Sequence, residues 1–234
     1  MKAFVAGATG LTGREVVRQL RARGDEVVAH VRPDSRQLEE WKARFESLGA
    51  EVDASPWSDE DMKAALHEHA PNVVFALLGT TRKRGRAAKA AGKDETYETV
   101  DYGLSALLMR AALACEPKPR FVYLSSMGVT PTTRNAYLAV RHRMESELRA
   151  SGLSWGIARP SFIAGDRDEH RTGESIGIAV GDGALALIGA LGGKKLREKY
   201  RSQTNVQLAK ALIAIADDGS LGLVESDGLQ ALHG

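Results

Sequence analysis

Two serines, a tyrosine and an arginine are the residues whose types and spacing best suit proton transfer beside a polarised oxygen. Ser125 and Ser126 close the apolar run Arg120 to Leu124, Tyr137 follows Ser126 by eleven residues, and Arg141 lies four beyond Tyr137. A separation of four places phenol and guanidinium on one helix face. A fixed cation there favours phenolate and fits the tyrosine to give or take a proton near neutrality. A serine hydroxyl at the same point can hold a substrate oxygen, and the spacing leaves open which of the two does so. A Tyr/Arg pair at helical spacing is also ordinary surface structure; its place after a strand ending in Ser-Ser favours the chemical reading.

A second constellation occupies residues 7 to 13. Gly7, Gly10 and Gly13 give the spacing G-x-x-G-x-x-G between the apolar run Ala3 to Ala6 and a helical pattern that starts at Leu11. Such glycines let backbone amides at a helix start come close to a diphosphate, with Thr9 and Thr12 adding hydroxyl donors. The alternative is a tight strand-to-helix turn without a ligand. Arg32 ends the next strand, where an acidic side chain would bind the ribose hydroxyls of NAD and a guanidinium pairs with the 2′-phosphate of NADP. Arg32 therefore points to NADP over NAD, and Arg14 can reach the same phosphate, unless either is a solvated surface charge. Asp53 and Ala54, at the end of a third strand, suit an adenine contact, or Asp53 caps the helix beginning after Pro56. Leu78, Gly79, Thr80 and Thr81 follow a fourth strand, offering room for a cofactor and two hydroxyls. Pro160, Ser161, Phe162 and Ile163 follow a sixth and would lie along the nicotinamide end, or form an X-Pro turn without contact.

Positioning these groups requires strands that end on one edge. Apolar runs at 3–6, 26–31, 50–53, 72–77, 120–124 and 155–158 alternate with helical patterns at 11–23, 37–48, up to 69, 94–115, around 137 and 204–216. That alternation predicts an α/β fold with a parallel sheet, ending in a short edge strand at 223–225. The 234 residues, 43% hydrophobic and without a low-complexity linker, fit one domain, with 165–234, including a helix near 174–191, on the substrate side. A net charge of +2 gives no reason to expect nucleic acid. The basic run 82–93 reads first as a mobile loop, then as an anion-attracting lip, and only distantly as a nucleic-acid contact, since aromatics are too few. Cys115 excludes an intrachain disulfide, suits a reducing compartment and falls in an apolar helix, where packing is the expected role. His67 and His69, two apart, read as surface residues, and no cluster supports a metal site. The run after Lys2 is too short for a secretory signal, and Asp182 and glycines interrupt the apolar stretch 176–193 before it completes a membrane span. A cytoplasmic protein without a membrane segment is the expectation.

The motifs GATGLTG at 7–13, HVRP at 30–33, LLGTTR at 77–82, VDYG at 100–103, YLSSMG at 123–128, YLAVR at 137–141 and ARP at 158–160 occur in that order. In them the chain resembles the atypical short-chain dehydrogenase/reductases, nearest the Tat-interacting oxidoreductase-like and NmrA-like branch, from Met1 to about Ile163. The resemblance implies a Rossmann-type, doubly wound parallel sheet with a small C-terminal substrate-side extension, and NADP across the strand ends. It implies Tyr137 as acid/base, Ser126 or Ser125 as carbonyl holder and residue 141 as ribose-binding cation. The family's Y-x-x-x-K motif ends here in Arg141, whose larger planar fork cannot reproduce an ammonium's reach. Asp101 stands where many relatives carry asparagine. The implied function is hydride transfer between NADP(H) and a small carbonyl or alcohol, by a monomer or homodimer. The alternative is a non-catalytic NADP(H) sensor acting through a protein partner, and a weaker one a nucleotide-sugar epimerase or dehydratase.

Overall fold

The computed structural model describes residues 1–90, 92–161, 163–164 and 203–232. Phe162 and the helix expected near 174–191 lie outside them. Seven strands form one parallel sheet: β1 (Lys2–Ala6), β2 (Glu26–His30), β3 (Glu51–Asp53), β4 (Val73–Ala76), β5 (Arg120–Leu124), β6 (Trp155–Arg159) and β9 (Leu223–Glu225), in the spatial order β3-β2-β1-β4-β5-β6-β9. Two short strands, β7 (Ile163–Ala164) and β8 (Gln203–Thr204), pair separately. All four residues of β4 are buried, and β1 is buried from Ala3 onward, as expected for apolar runs covered on both faces. From β1 the chain winds outward to β3, returns to β4 beside β1, and winds outward the other way to β9. The reversal opens a crevice between β1 and β4, at the carboxyl edge where open α/β sheets bind ligands.

Helices cover both faces. On one, α1 (Leu11–Arg23) buries Val16, Val17 and Leu20 against the sheet and against α7 (Asn205–Asp217), which contributes Leu208, Leu212 and Ile215. Gln19 Nε2 donates to the Val206 carbonyl at 3.0 Å, and Arg23 pairs with Asp217. Gly24, in the left-handed region at φ 89°, ends α1. On the other face, Met62 and Leu66 of α3 (Asp59–His69) pack with Leu108 of α5 (Ser105–Leu113) and with Met144 and Leu148 of α6 (Ala136–Ala150). Cys115 joins this core, and burial pushes its thiol pKa up. The other α-helices among the described residues are α2 (Leu38–Ser47), α4 (Arg82–Ala90) and α8 (Ser226–Ala231).

The basic run is not a loop over its first nine residues, which form α4. Alanines and long unbranched side chains are strong helix formers, and the charge obscured that preference. The helix expected at 94–115 starts later, at Tyr97, and runs as a π-helix to Leu104 before α5. Thr96 and Thr99 cap it reciprocally. His67 is exposed as expected, but His69 is buried, its Nε2 3.3 Å from Asp53 Oδ2. Among the described residues no helix is long and apolar enough to cross a membrane, and no group of three or more His, Cys, Asp or Glu residues is placed to hold a metal ion.

Candidate active site

At the β1 end the backbone is pressed close from two sides. Gly7 has φ 84°, and a Cβ there would lie 2.5 Å from the Leu77 carbonyl; a Cβ on Gly13 would lie 2.1 Å from the Gly7 carbonyl. Glycine at both positions lets α1 begin directly against the strand end and the β4 loop. Gly10 is the N-cap of α1, no side chain caps the helix, and its first turn carries no acid. Leu11 and Thr12 therefore open a helix terminus whose partial positive charge suits an anion. Thr12 is buried and Thr9 half-buried.

The two arginines expected at a 2′-phosphate have different partners. Arg32 Nη1 donates to Glu95 at 2.8 Å, and its Nε lies 3.7 Å from Asp34. The Arg14 guanidinium stands over the Trp41 ring at 5.6 Å. Asp53 caps no helix, because Ser58 accepts from the Asp61 amide at the start of α3. Its carboxylate instead accepts from the amide and hydroxyl of Ser55 at 3.0 and 2.9 Å, beside half-buried Ala54.

At the β4 end, Gly79 makes room for side chains behind the loop: a Cβ there would lie 3.0 Å from Arg141 Nη2 and 3.3 Å from Asp101 Oδ1. Arg141 is 4% exposed. Nη2 donates to Asp101 Oδ1 at 2.5 Å and to the Leu78 carbonyl at 3.1 Å, while Nη1 donates to Tyr123 Oη at 3.2 Å and to the Leu124 carbonyl. One guanidinium thus joins the ends of β4 and β5. Asp101, fully buried, also accepts from the Thr80 amide at 2.9 Å. Burial penalises the charged guanidinium, yet Tyr123 and Asp101 hold its pKa above the ordinary range. Burial raises the Asp101 carboxyl against the pull of Arg141, and pushes the Tyr123 phenol up to about 12. Thr80 Oγ1 is buried and has no partner among the described residues.

Tyr137 stands in the first turn of α6, where Asn135 Oδ1 accepts from the Tyr137 and Leu138 amides. The Arg141 guanidinium lies 5.2 Å from the centre of its ring, and the Tyr97 ring packs against it at 5.2 Å between centroids. The helical spacing therefore brings Tyr137 and Arg141 together as expected. Thr80, Thr81, Lys93, Glu95, Thr96 and Tyr97 help line a neighbouring cavity of about 650 Å³.

The paired serines separate. Ser125, buried, donates to Glu145 Oε1 at 2.6 Å, and Glu145 is held by Arg159 Nε and Nη2 at 2.9 and 2.6 Å. Ser126 is half-buried and, among the described residues, donates to the Met127 carbonyl at 3.3 Å. Pro160 is buried, and its carbonyl accepts from the Met127 amide at 2.9 Å, joining the β6 and β5 ends. Ile163 lies in β7 opposite Gln203. Sequence reasoning missed Glu145, although the series 137, 141, 145 continues one helix face. It also missed Glu95 and Tyr97, which precede the apolar positions, from Val100 onward, that give the 94–115 pattern its helical spacing.

Residues 7–184 match the family model described as NAD(P)H-binding. Protein FMP52, mitochondrial, of Eremothecium gossypii is 30% identical over 237 residues, covering 99% of this chain and 97% of that protein. Its Candida albicans namesake is 27% identical over 186 residues, 78% of this chain and 76% of that protein. Both names are those of mitochondrial proteins, which overturns the cytoplasmic expectation. Among solved structures, UDP-N-acetylglucosamine 4-epimerase from Bacillus cereus superposes with TM-score 0.62 at 16% identity, over 96% of this chain and 78% of that one. The Bordetella bronchiseptica enzyme WbmH in complex with NAD+ gives 0.63 at 16%, over 96% and 74%. At such identities the likeness establishes the Rossmann-type fold.

Proposed function

This chain belongs to the NAD(P)H-binding family, and from that premise we propose that it is an oxidoreductase of the short-chain dehydrogenase/reductase type, nearest the Tat-interacting oxidoreductase-like branch. It uses NADP(H) in preference to NAD(H) and acts on a small carbonyl or alcohol. The residues present fit the coenzyme: the start of α1 and the side-chain-free cradle of Gly7, Gly10 and Gly13 suit the diphosphate, and the Thr80 hydroxyl, without a partner among the described residues, suits a polar neighbour. Arg32 and Arg14 are the candidates for the 2′-phosphate, Asp53 and Ala54 for the adenine, Leu78 to Thr81 for the central span, and Pro160 and Ile163 for the nicotinamide end. The bound coenzyme would supply or take the hydride.

Tyr137 gives its phenolic proton to the substrate oxygen on reduction and takes it back on oxidation. Ser126 donates a hydrogen bond to the same oxygen; its hydroxyl is better disposed than that of Ser125, which is spent on Glu145. Arg141 acts from behind as a fixed cation that favours negative charge on the phenol in transit. The observation that carries the reading is the Tyr137 ring set 5.2 Å from a guanidinium anchored to both β4 and β5 ends. Its test is NADPH oxidation across a panel of carbonyl compounds by the native chain and Tyr137→Phe: equal rates remove the tyrosine from the mechanism.

Burial of Arg141 also favours a second reading, that of a coenzyme-binding sensor without turnover. Both terminal nitrogens of the guanidinium donate to the interior, whereas a lysine ammonium in the family motif reaches the ribose. A chain that binds NADPH and turns over no carbonyl would favour the sensor.

A further inference from the structure

The segment after α4 crosses to the β2 end and is tied there by two ion pairs, Glu95 with Arg32 at 2.8 Å and Lys93 with Asp34 at 2.6 Å. The Glu95 side chain is only 12% exposed, against 36% for Arg32. Glu95 therefore stands beside the guanidinium that the coenzyme reading assigns to the 2′-phosphate. We propose that Glu95 is a coenzyme-selectivity residue, an acid brought to the β2 end by the segment between α4 and the π-helix, which holds down the preference for NADP(H) that Arg32 alone would give. The proposal rests on that coenzyme reading and deepens it.

The physical argument is one of competing partners. Arg32 binds a 2′-phosphate best with two parallel donors, and one terminal nitrogen already donates to Glu95. The phosphate must displace the carboxylate or share the guanidinium with it. Sharing sets the phosphate's charge of up to about −2 beside a half-buried carboxylate. NAD(H) brings no such charge, and its ribose hydroxyls can donate to Glu95 as they do to the acid that ends β2 in NAD-specific folds. Arg32 and Glu95 thus pull selectivity in opposite directions.

Titration of the full chain with NADPH and with NADH, followed by coenzyme fluorescence, tests this in the native protein, Glu95→Gln and Thr96→Ala. Glutamine keeps the shape and removes the charge, and the expected result is a rise of about tenfold in NADPH affinity relative to NADH. Thr96→Ala removes the neighbouring π-helix cap, loosening the segment without altering charge, and should leave the ratio as in the native chain. An unchanged ratio in Glu95→Gln, with both coenzymes still bound, overturns the role of Glu95 and leaves the coenzyme reading intact. An equal shift in Thr96→Ala assigns the effect to loosening and also overturns it. A native chain that binds neither coenzyme overturns both.

Discussion

Ser125 and Glu145 meet at 2.6 Å in the interior, one at the end of β5 and the other on the third turn of α6, so the first of the two adjacent serines is a structural donor. Ser125→Ala should therefore lower stability by about 1–3 kcal/mol, the cost of taking a partner from a buried charged group. Ser126→Ala should leave stability nearly unchanged and reduce turnover about 100-fold, as loss of an oxygen-holding donor does. Urea denaturation and steady-state rates on the two variants check the division.

Tyr137→Phe keeps the ring that packs on Tyr97 and Arg141 and removes only the hydroxyl. Turnover should fall by about 100-fold or more while NADPH affinity holds. Calorimetric binding beside the rate measurement distinguishes this from a folding defect.

Arg141→Ala leaves Asp101 buried without its cation, and should cost about 3–5 kcal/mol. Arg141→Lys keeps a charge but lacks the fork that spans Asp101, Leu78, Leu124 and Tyr123, so its thermal midpoint should lie between those of the native chain and the alanine variant. The lysine variant also separates the two functional readings: new carbonyl reduction where the native chain has none favours the sensor, whereas activity already present in the native chain removes the main support for it.

Tyr123 keeps its proton in the folded state up to about pH 12, while an unfolded tyrosine releases it near its ordinary value. The folded form binds the extra proton between those limits, so stability is full below about pH 10 and declines as pH rises towards 12. Denaturation midpoints across that range should fall, and Tyr123→Phe should fall less steeply.

Gly13→Ala tests the approach of α1 to β1. The added Cβ would lie 2.1 Å from the Gly7 carbonyl, so the helix start must shift, at a cost of about 1–3 kcal/mol. Coenzyme binding should weaken with it.

Much of this was legible in the sequence because it depends on local pattern. The strand Arg120–Leu124 and the helix ended by Gly24 lie where the apolar run and the glycine indicate. The pairing of Tyr137 with Arg141 was legible for the same reason. What Arg141 does was not, because its partners Leu78 and Asp101 lie 63 and 40 residues away and are brought to it only when β4 pairs with β5 and the π-helix packs against α6. The split between Ser125 and Ser126 likewise depends on Arg159 at the end of β6. His69 looked like a surface residue by spacing alone, yet the carboxylate of Asp53 gives it a buried partner.

The packing of α7 on α1 orders events in time. A chain arrested on the ribosome before residue 205 would leave α1 packed on the sheet alone, without α7 beside it and without the Asp217 carboxylate that pairs with Arg23. The turn from Gly7 to Gly13 would gain its rigid backing only once α7 had been made, so on the proposed reading coenzyme capture would report that synthesis had passed Asp217.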